Sequence, residues 1–207
     1  YTFNGPKGIA ISSSTGSLYV TDSGNNQVRK FDLNGNHILS WGASGSNTGQ
    51  FNNPRGIAAD SEDNVYVGDV GNNRIQKFSS GGTFLMTWGS NGSAVGQFGY
   101  YYGDSMGIAI DSSNNIYITD EGYHRIQKFN QYGVVLSYWG TNGTGNGQFS
   151  YPCGIAVDLS NNVYVVDKNN HRVQKFDANG IYLIQWGTNG SGQGQFEAPK
   201  GIAVDAA

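Results

Sequence analysis

Hydrophobic residues along this chain come in short runs of four to six, rich in Val, Ile, Tyr and Phe, with Gly, Asn, Ser and Asp between them. Runs of that length and composition, bounded by turn formers, predict β-strands. No stretch shows the amphipathic helical period. The stretch from Gly154 to Trp186 is the clearest example, and it predicts four strands at Ile155–Asp158, Val163–Val166, Arg172–Phe176 and Tyr182–Trp186. The first two strands are joined by Leu159-Ser160-Asn161-Asn162, the next two by residues 167–171, and the last two by a turn at Asn179-Gly180. Asn-Gly between apolar runs predicts a type I′ hairpin, whose two central residues both need positive φ. Asn34-Gly35, Gly81-Gly82 and Tyr132-Gly133 fill the same slot elsewhere.

Nearly the same text occurs four times. Gly-Ile-Ala recurs at Gly8, Gly56, Gly107, Gly154 and Gly201, and a closing Trp at Trp41, Trp88, Trp139 and Trp186, giving a period of 47 or 48 residues with one interval of 51. A period in that range marks a repeat array. In Val163-Tyr164-Val165-Val166 both alternating sets are apolar, so both faces of the sheet are expected to be buried. Four-stranded sheets covered on both sides by copies of themselves are propeller blades. The expected fold is therefore an all-β propeller within one domain, residues 1–207, with blades at about 8–42, 56–89, 107–140 and 154–187 and the first strand of a fifth at 201–207.

Residues 167–176, read as D-x-x-N-H-R-V-Q-K-F around Asn170-His171-Arg172-Val173, resemble the signature of the NHL repeat. Asp120, His124, Arg125 and Ile126 match it in the third repeat, and Asp69, Asn73, Arg74 and Ile75 in the second. The first repeat departs from the pattern, with Gln27 in place of Arg and Ser12 in place of the Asp that ends the first strand. The resemblance covers the whole chain and implies a β-propeller usually closed by six blades. Four repeats and a stub cannot close such a ring. The apolar stub Gly201-Ile202-Ala203-Val204-Asp205 and the apolar residues of blade one (Leu18, Val20, Val28, Phe31, Ile38, Leu39) therefore predict missing blades or another subunit lying against residues 201–207.

Charge and cysteine content narrow the function classes. The net charge is −3 and 13% of residues are charged, which is not the footprint of a nucleic-acid binder. Eight of the twelve Lys and Arg (Arg29, Lys30, Arg74, Lys77, Arg125, Lys128, Arg172, Lys175) sit at repeated positions in third strands, pointing to structural use. Only Lys7, Arg55, Lys168 and Lys200 remain for the basic face through which some family members bind RNA. Cys153 is the one cysteine, so no internal disulfide forms. No stretch is long and apolar enough to insert in a membrane. The start at Tyr1 rather than Met hints at processing or truncation, and few Lys with many Asn, Gly and Ser lean towards an extracellular or cell-surface setting.

Strand order places the connections from strand two to three and from strand four to the next repeat on one face, called upper here. The largest break in the period lies there: Trp88 to Gly107 spans 19 residues where the other connections span 15, and Tyr100, Tyr101, Tyr102 and Asp104 lie in the enlarged stretch. They lead into blade three, whose own upper loop adds Glu121, Tyr123 and His124. Aromatic rings with a few polar groups suit sugar or peptide binding. The alternative is that the tyrosines cover a gap between blades.

The resemblance brings zinc-dependent lyases of the family into view, since these use histidines near the channel. His124 and His171 occupy matching positions, but the slots in blades one and two hold Asn26 and Asn73, and His37 lies in a lower turn, so a third ligand is missing and a structural role is expected for both histidines. Asp60, Asp111, Asp158 and Asp205, and Asp22, Asp69, Asp120 and Asp167, end strands one per site; they are expected to bind turn amides, the second set pairing with Arg74, Arg125 and Arg172, rather than to gather round calcium. No catalytic residue, metal ligand set or cofactor is assigned. Asn91, Asn142 and Asn189 each begin an N-x-[ST] sequence three residues after a Trp, either as glycan acceptors on one rim or as ordinary turn formers. The expectation is a non-enzymatic scaffold for protein or carbohydrate partners. The alternatives are a lyase or hydrolase with a metal at the channel mouth, and a glycosylated subunit of an extracellular assembly.

Overall fold

The computed structural model describes residues 2–99 and 106–205. Its described strands form four four-stranded antiparallel sheets, each taking its strands in chain order, as propeller blades do. Blade one is β1 (Pro6–Ile11), β2 (Leu18–Asp22), β3 (Gln27–Phe31) and β4 (His37–Trp41). Blade two is β5 (Pro54–Ala59), β6 (Val65–Asp69), β7 (Arg74–Phe78) and β8 (Phe84–Trp88). Blade three is β9 (Ile108–Ile110), β10 (Ile116–Asp120), β11 (Arg125–Phe129) and β12 (Val135–Trp139). Blade four is β13 (Pro152–Val157), β14 (Val163–Asp167), β15 (Arg172–Phe176) and β16 (Tyr182–Trp186). Contacts divide the chain into two compact units, Tyr1–Gly92 and Ser93–Ala207, each holding two blades.

In each unit the core lies between sheets. In the first, Tyr19 and Val28 of blade one meet Ile57, Val65, Val67 and Phe78 of blade two, with Phe51 from the connecting segment. In the second, Tyr117 and Ile126 of blade three meet Ile155, Val163, Val165 and Phe176 of blade four, with Phe149 from the connection. Each such side chain contributes about 1.5–3 kcal/mol by leaving water. This is why the middle strands are apolar at successive positions: β6 and β10 are buried at all five residues, whereas β8 and β12, at the outer edge, alternate half-buried with exposed. Gly8 and Gly107 allow the approach of the next first strand, since a Cβ there would stand 2.3 Å from the Arg55 carbonyl oxygen and 2.2 Å from that of Cys153.

Two details differ from the sequence expectation. The first strand begins earlier, at Pro152, and ends at Val157, because a register shift between Pro152 and Ile155 lets the proline, which has no N–H, enter the ladder. The turn after the third strand is not type I′. Among its residues Gly180 has φ +83° while Asn179 keeps an ordinary negative φ, Asp177 Oδ1 accepts from the N–H groups of Asn179 and Ile181 (both 2.9 Å), and the pairing shifts between Lys175 and Phe176. The aspartate side chain organises this turn, so only one residue has to enter the left-handed region.

Residues 201–205 pair with no strand and so form none; they lie along blade four, with the Lys200 carbonyl oxygen 2.3 Å from where a Gly154 Cβ would stand and Ile202 packed on Cys153, Val166 and Val173. That is the position the next blade's first strand takes after blades one and three.

Candidate functional site

The upper loops are organised by the buried aspartate that ends each second strand. Asp167 accepts the backbone N–H of Ser150 (2.7 Å), the Asn170 amide (2.9 Å) and Arg172 Nε (2.7 Å). The Arg172 Nη atoms donate to the carbonyls of Thr144, Gly145 and Gln148, at 2.7, 2.9 and 3.0 Å, and Nη1 also to Gln185 Oε1 at 2.5 Å. The guanidinium thus ties the connection entering the blade to the blade itself. The same set recurs with Asp69 and Arg74 (2.7 Å) and with Asp120 and Arg125 (2.6 Å), as the five-residue spacing predicts. Burial pushes the Asp120 carboxyl above its ordinary range, against hydrogen bonds from Gly99, Arg125 and Gln127.

Blade one reaches the same result by transposition. Gln27 and Arg29 exchange the places that Arg74 and Gln76 hold in blade two, and Arg29 pairs with Asp22 at 2.7 Å. Burial raises the Asp22 carboxyl less than the hydrogen bonds from Asn25, Asn4 and Arg29 lower it, so it titrates below its ordinary value.

His124 and His171 are the left-handed residues that close the single-turn 3-10 helices Glu121–Tyr123 and Lys168–Asn170, both at φ 54°. Their Nδ1 atoms accept from the backbone N–H of Tyr151 and Ala198, each at 3.1 Å. Asn26 Oδ1 does the same for Asn53 at 2.8 Å. Each N–H caught in this way belongs to a residue of positive φ just before a proline. At Asn26, His124 and His171 the side chain is therefore an acceptor holding the entry to the next repeat, a task that both Asn and His perform. Burial lowers the His124 pKa, with the Asp167 charge acting against it. With Nδ1 engaged, and with no group of three His, Cys, Asp or Glu side chains converging among the described residues, His124 and His171 do not fit a catalytic zinc set.

At the lower face, aspartates that follow the first strands bind turn amides as expected. Asp60 accepts from Glu62 N (3.0 Å) and Asn64 N (2.8 Å), and also from the Tyr66 hydroxyl (3.0 Å). Asp111 with Tyr117 and Asp158 with Tyr164 repeat it at 3.0 and 2.9 Å. Ser12 cannot supply this carboxylate in blade one, and Asp63 of blade two supplies it instead, accepting from the Tyr19 hydroxyl and from Thr15 Oγ1, both at 3.0 Å. A sequence signal for this exchange existed: Asp63 stands where repeats three and four have Asn114 and Asn161.

Of the candidate binding residues, Tyr100, Tyr101, Tyr102 and Asp104 lie outside the described residues. Glu121, Tyr123 and His124 sit together on the 3-10 turn, with Glu121 buried and Tyr123 38% exposed. Tyr123 replaces the asparagine that, as Asn72 and Asn170, donates to the connecting loop at Gly45 O and Gly143 O (both 2.9 Å). Its ring lies under Gly99, where a Cβ would come within 2.3 Å of the ring, and Arg125 stacks 5.4 Å from its centroid. The third repeat also lacks the proline found at Pro6, Pro54, Pro152 and Pro199, having Ser105 there. Loss of the strut and of the proline, together with the enlarged connection, sets the third repeat apart from the second and fourth. Asn91, Asn142 and Asn189 are all exposed.

Four antiparallel sheets with this strand order, packed face to face in pairs and sharing one loop-holding constellation, define β-propeller blades. The NHL repeat profile matches residues 3–31, 51–78, 107–129 and 149–176, and the chain belongs to the NHL-repeat family. No curated protein matches it in sequence. Solved structures of similar fold include a streptogramin B lyase (17% identity, 88% of this chain and 55% of that one, TM-score 0.67). Others are a nidogen/laminin complex (20%, 97% and 68%, TM-score 0.67) and a gluconolactonase from Xanthomonas campestris (14%, 99% and 68%, TM-score 0.67). The chain thus spans little more than half of the lyase, and at these identities the likeness is one of fold.

Proposed function

We propose that this chain is a non-enzymatic binding scaffold, secreted or displayed at the cell surface, that recognises a protein or glycan through the upper loops of blade three. The observation that carries this reading is the commitment of the repeated polar side chains. The Asp, Arg, Gln and His residues of the signature hold loops, while Tyr123 replaces the strut found in blades two and four. Partly exposed aromatic surface at Tyr123, beside Glu121 and His124, suits recognition of a sugar ring or a peptide, and Tyr100, Tyr101, Tyr102 and Asp104 of the preceding connection bring the same chemistry in sequence. The nidogen/laminin neighbour supports a protein partner; the lyase and lactonase neighbours support the enzymatic alternative.

A glycan array and a protein-binding screen test the proposal, comparing the native chain with Tyr123→Asn and with a triple Ala variant at Tyr100, Tyr101 and Tyr102. Selective binding lost in both variants is the expected result; binding unchanged in both overturns it. Export through a glycosylating pathway adds glycans at Asn91, Asn142 and Asn189, seen as excess intact mass over the 22.2 kDa polypeptide.

A further inference from the structure

Tyr151 stands where the backbone is least suited to it. It has φ +57°, in the left-handed region, at the place that Gly5, Asn53 and Ala198 hold before Pro6, Pro54 and Pro199. Glycine and asparagine enter that region readily, whereas a bulky side chain enters it against steric resistance. Two contacts hold Tyr151 there. Its N–H donates to His124 Nδ1 at 3.1 Å, and its ring meets the His124 ring edge to face, with centroids 4.9 Å apart and planes at 81°. The residue before it, Ser150, is bound to blade four, donating its N–H to Asp167 Oδ1 (2.7 Å) and accepting the N–H of Asn169 (3.1 Å). Tyr151 thus sits at the junction of the upper turns of blades three and four.

Core packing does not account for a tyrosine here. Tyr151 is half-buried, and an edge-to-face contact covers at most one face of its ring. The hydroxyls of Tyr19, Tyr66, Tyr117 and Tyr164 each rest on a carboxylate, whereas those of Tyr151 and Tyr123 have no partner among the described residues. Because His124 Nδ1 accepts, the neutral ring carries its proton on Nε2 and offers a donor there. The exposed Asn169 adds an amide that both donates and accepts. The neighbouring ions are already committed: Arg125 to Asp120 (2.6 Å) and to the carbonyls of Ser93, Ala94 and Gln97, and Arg172 to Asp167 (2.7 Å). Glu121 and Lys168 each have a partner as well.

We propose that His124 and Tyr151, with Tyr123 next to the histidine and Asn169 of the adjoining turn, bind a neutral sugar ring where blades three and four meet. This rests on the reading of blade three's upper loops as a binding surface, and adds to it the ligand class and a residue from the entry to blade four. A sugar ring has an apolar C–H face that stacks on an aromatic ring, and a rim of hydroxyls that donate and accept. Phenol, imidazole and amide groups match that rim without charge. An acidic sugar or a charged peptide finds no uncommitted counter-ion among these residues. The left-handed backbone at Tyr151 belongs to the same picture, since strained conformations gather where ligands are held.

Titration calorimetry and amide chemical-shift mapping test this on the full 207-residue chain, with N-acetylglucosamine, mannose, galactose and their short oligomers as probes and glucuronic acid as the charged control. A neutral sugar is expected to bind more tightly than glucuronic acid and to shift the amides of Tyr123, His124, Tyr151 and Asn169. Tyr151→Asn, which supplies the residue found at Asn53, is expected to bind about tenfold more weakly, the scale of one lost aromatic stack. Where that variant melts early by circular dichroism, the shift map of the native chain decides. Native affinity in a folded Tyr151→Asn variant, shifts gathered elsewhere, or glucuronic acid bound as tightly as the neutral sugars overturns the proposal. A protein ligand lost in Tyr123→Asn, with no sugar bound by the native chain, overturns it too and leaves the broader reading standing; no ligand of either kind overturns both.

Discussion

Replacing Arg172 by Met isolates what the repeated guanidinium does. Its side chain is 7% exposed and its partner Asp167 is fully buried, so the substitution leaves a carboxylate without a cation in a dry site. Breaking a buried pair from one side costs about 3–5 kcal/mol. Asp167 keeps the Ser150 N–H at 2.7 Å, the Asn170 amide at 2.9 Å and the Gln174 amide at 3.2 Å, which places the cost at the lower end, near about 3 kcal/mol. The carbonyls of Thr144 and Gly145 lose this donor, while that of Gln148 keeps Gln174 Nε2 at 2.7 Å. Urea unfolding should show the midpoint falling with the slope unchanged, and hydrogen exchange should rise at the amides of 143–149 before the strands of blade four. Adding Asp167→Asn should recover part of the loss, because the unpaired charge is its largest component. A loss below about 1 kcal/mol, the scale of an exposed ion pair, or a double variant less stable than the single, would refute the reasoning.

Two further predictions use the same parts. Arg29→Gln should destabilise blade one by about 3 kcal/mol by stranding Asp22, and adding Gln27→Arg should restore most of it by giving blade one the order found in the other blades; a double variant no better than the single removes the idea of a transposed pair. For His124 the folded-state pKa lies below the ordinary value of about 6.5, so the stabilisation is complete above that pH and is lost as pH falls below it, when a protonated ring can no longer accept at Nδ1. His124→Asn, which places there the acceptor that Asn26 provides, should flatten this part of the stability-pH curve measured by thermal melts, and identical curves for the two proteins would contradict it.

The repeat made most of the fold legible, because a strand buried on both faces leaves the same apolar text in each copy. The Asp–Arg pairs were legible for a related reason: five residues span the turn from the end of a second strand to the start of the third, so the two side chains must meet. What stayed hidden depended on residues far apart in the chain. Nothing local tells that Arg172 reaches the Thr144 carbonyl or that His171 catches the N–H of Ala198. The hairpin turn was misread because Asn-Gly was taken as the organising pair, when the Asp177 carboxylate two residues earlier accepts the turn amides and relieves Asn179 of positive φ. Glu121, Tyr123 and His124 were singled out as candidates from their place beside the enlarged connection, whereas the lost asparagine strut became visible only against Asn72 and Asn170.

The exchange between Ser12 and Asp63 bears on how such arrays change. A buried tyrosine hydroxyl needs an acceptor, since an unmade bond there costs about 1–3 kcal/mol. In blades two to four the acceptor is the blade's own aspartate, which also organises the turn after its first strand. In blade one the two tasks are separated. Ser12 Oγ receives the Thr15 N–H at 3.2 Å within the turn, and Asp63 reaches across from blade two to the Tyr19 hydroxyl. What recurs is thus a carboxylate beside each of these tyrosine hydroxyls, whichever repeat encodes it. The same holds for the transposed Gln27 and Arg29. Departures from the signature that keep their partners are therefore structural substitutions, and Tyr123, which gives up the Asn strut and leaves part of its ring in solvent, is of a different kind.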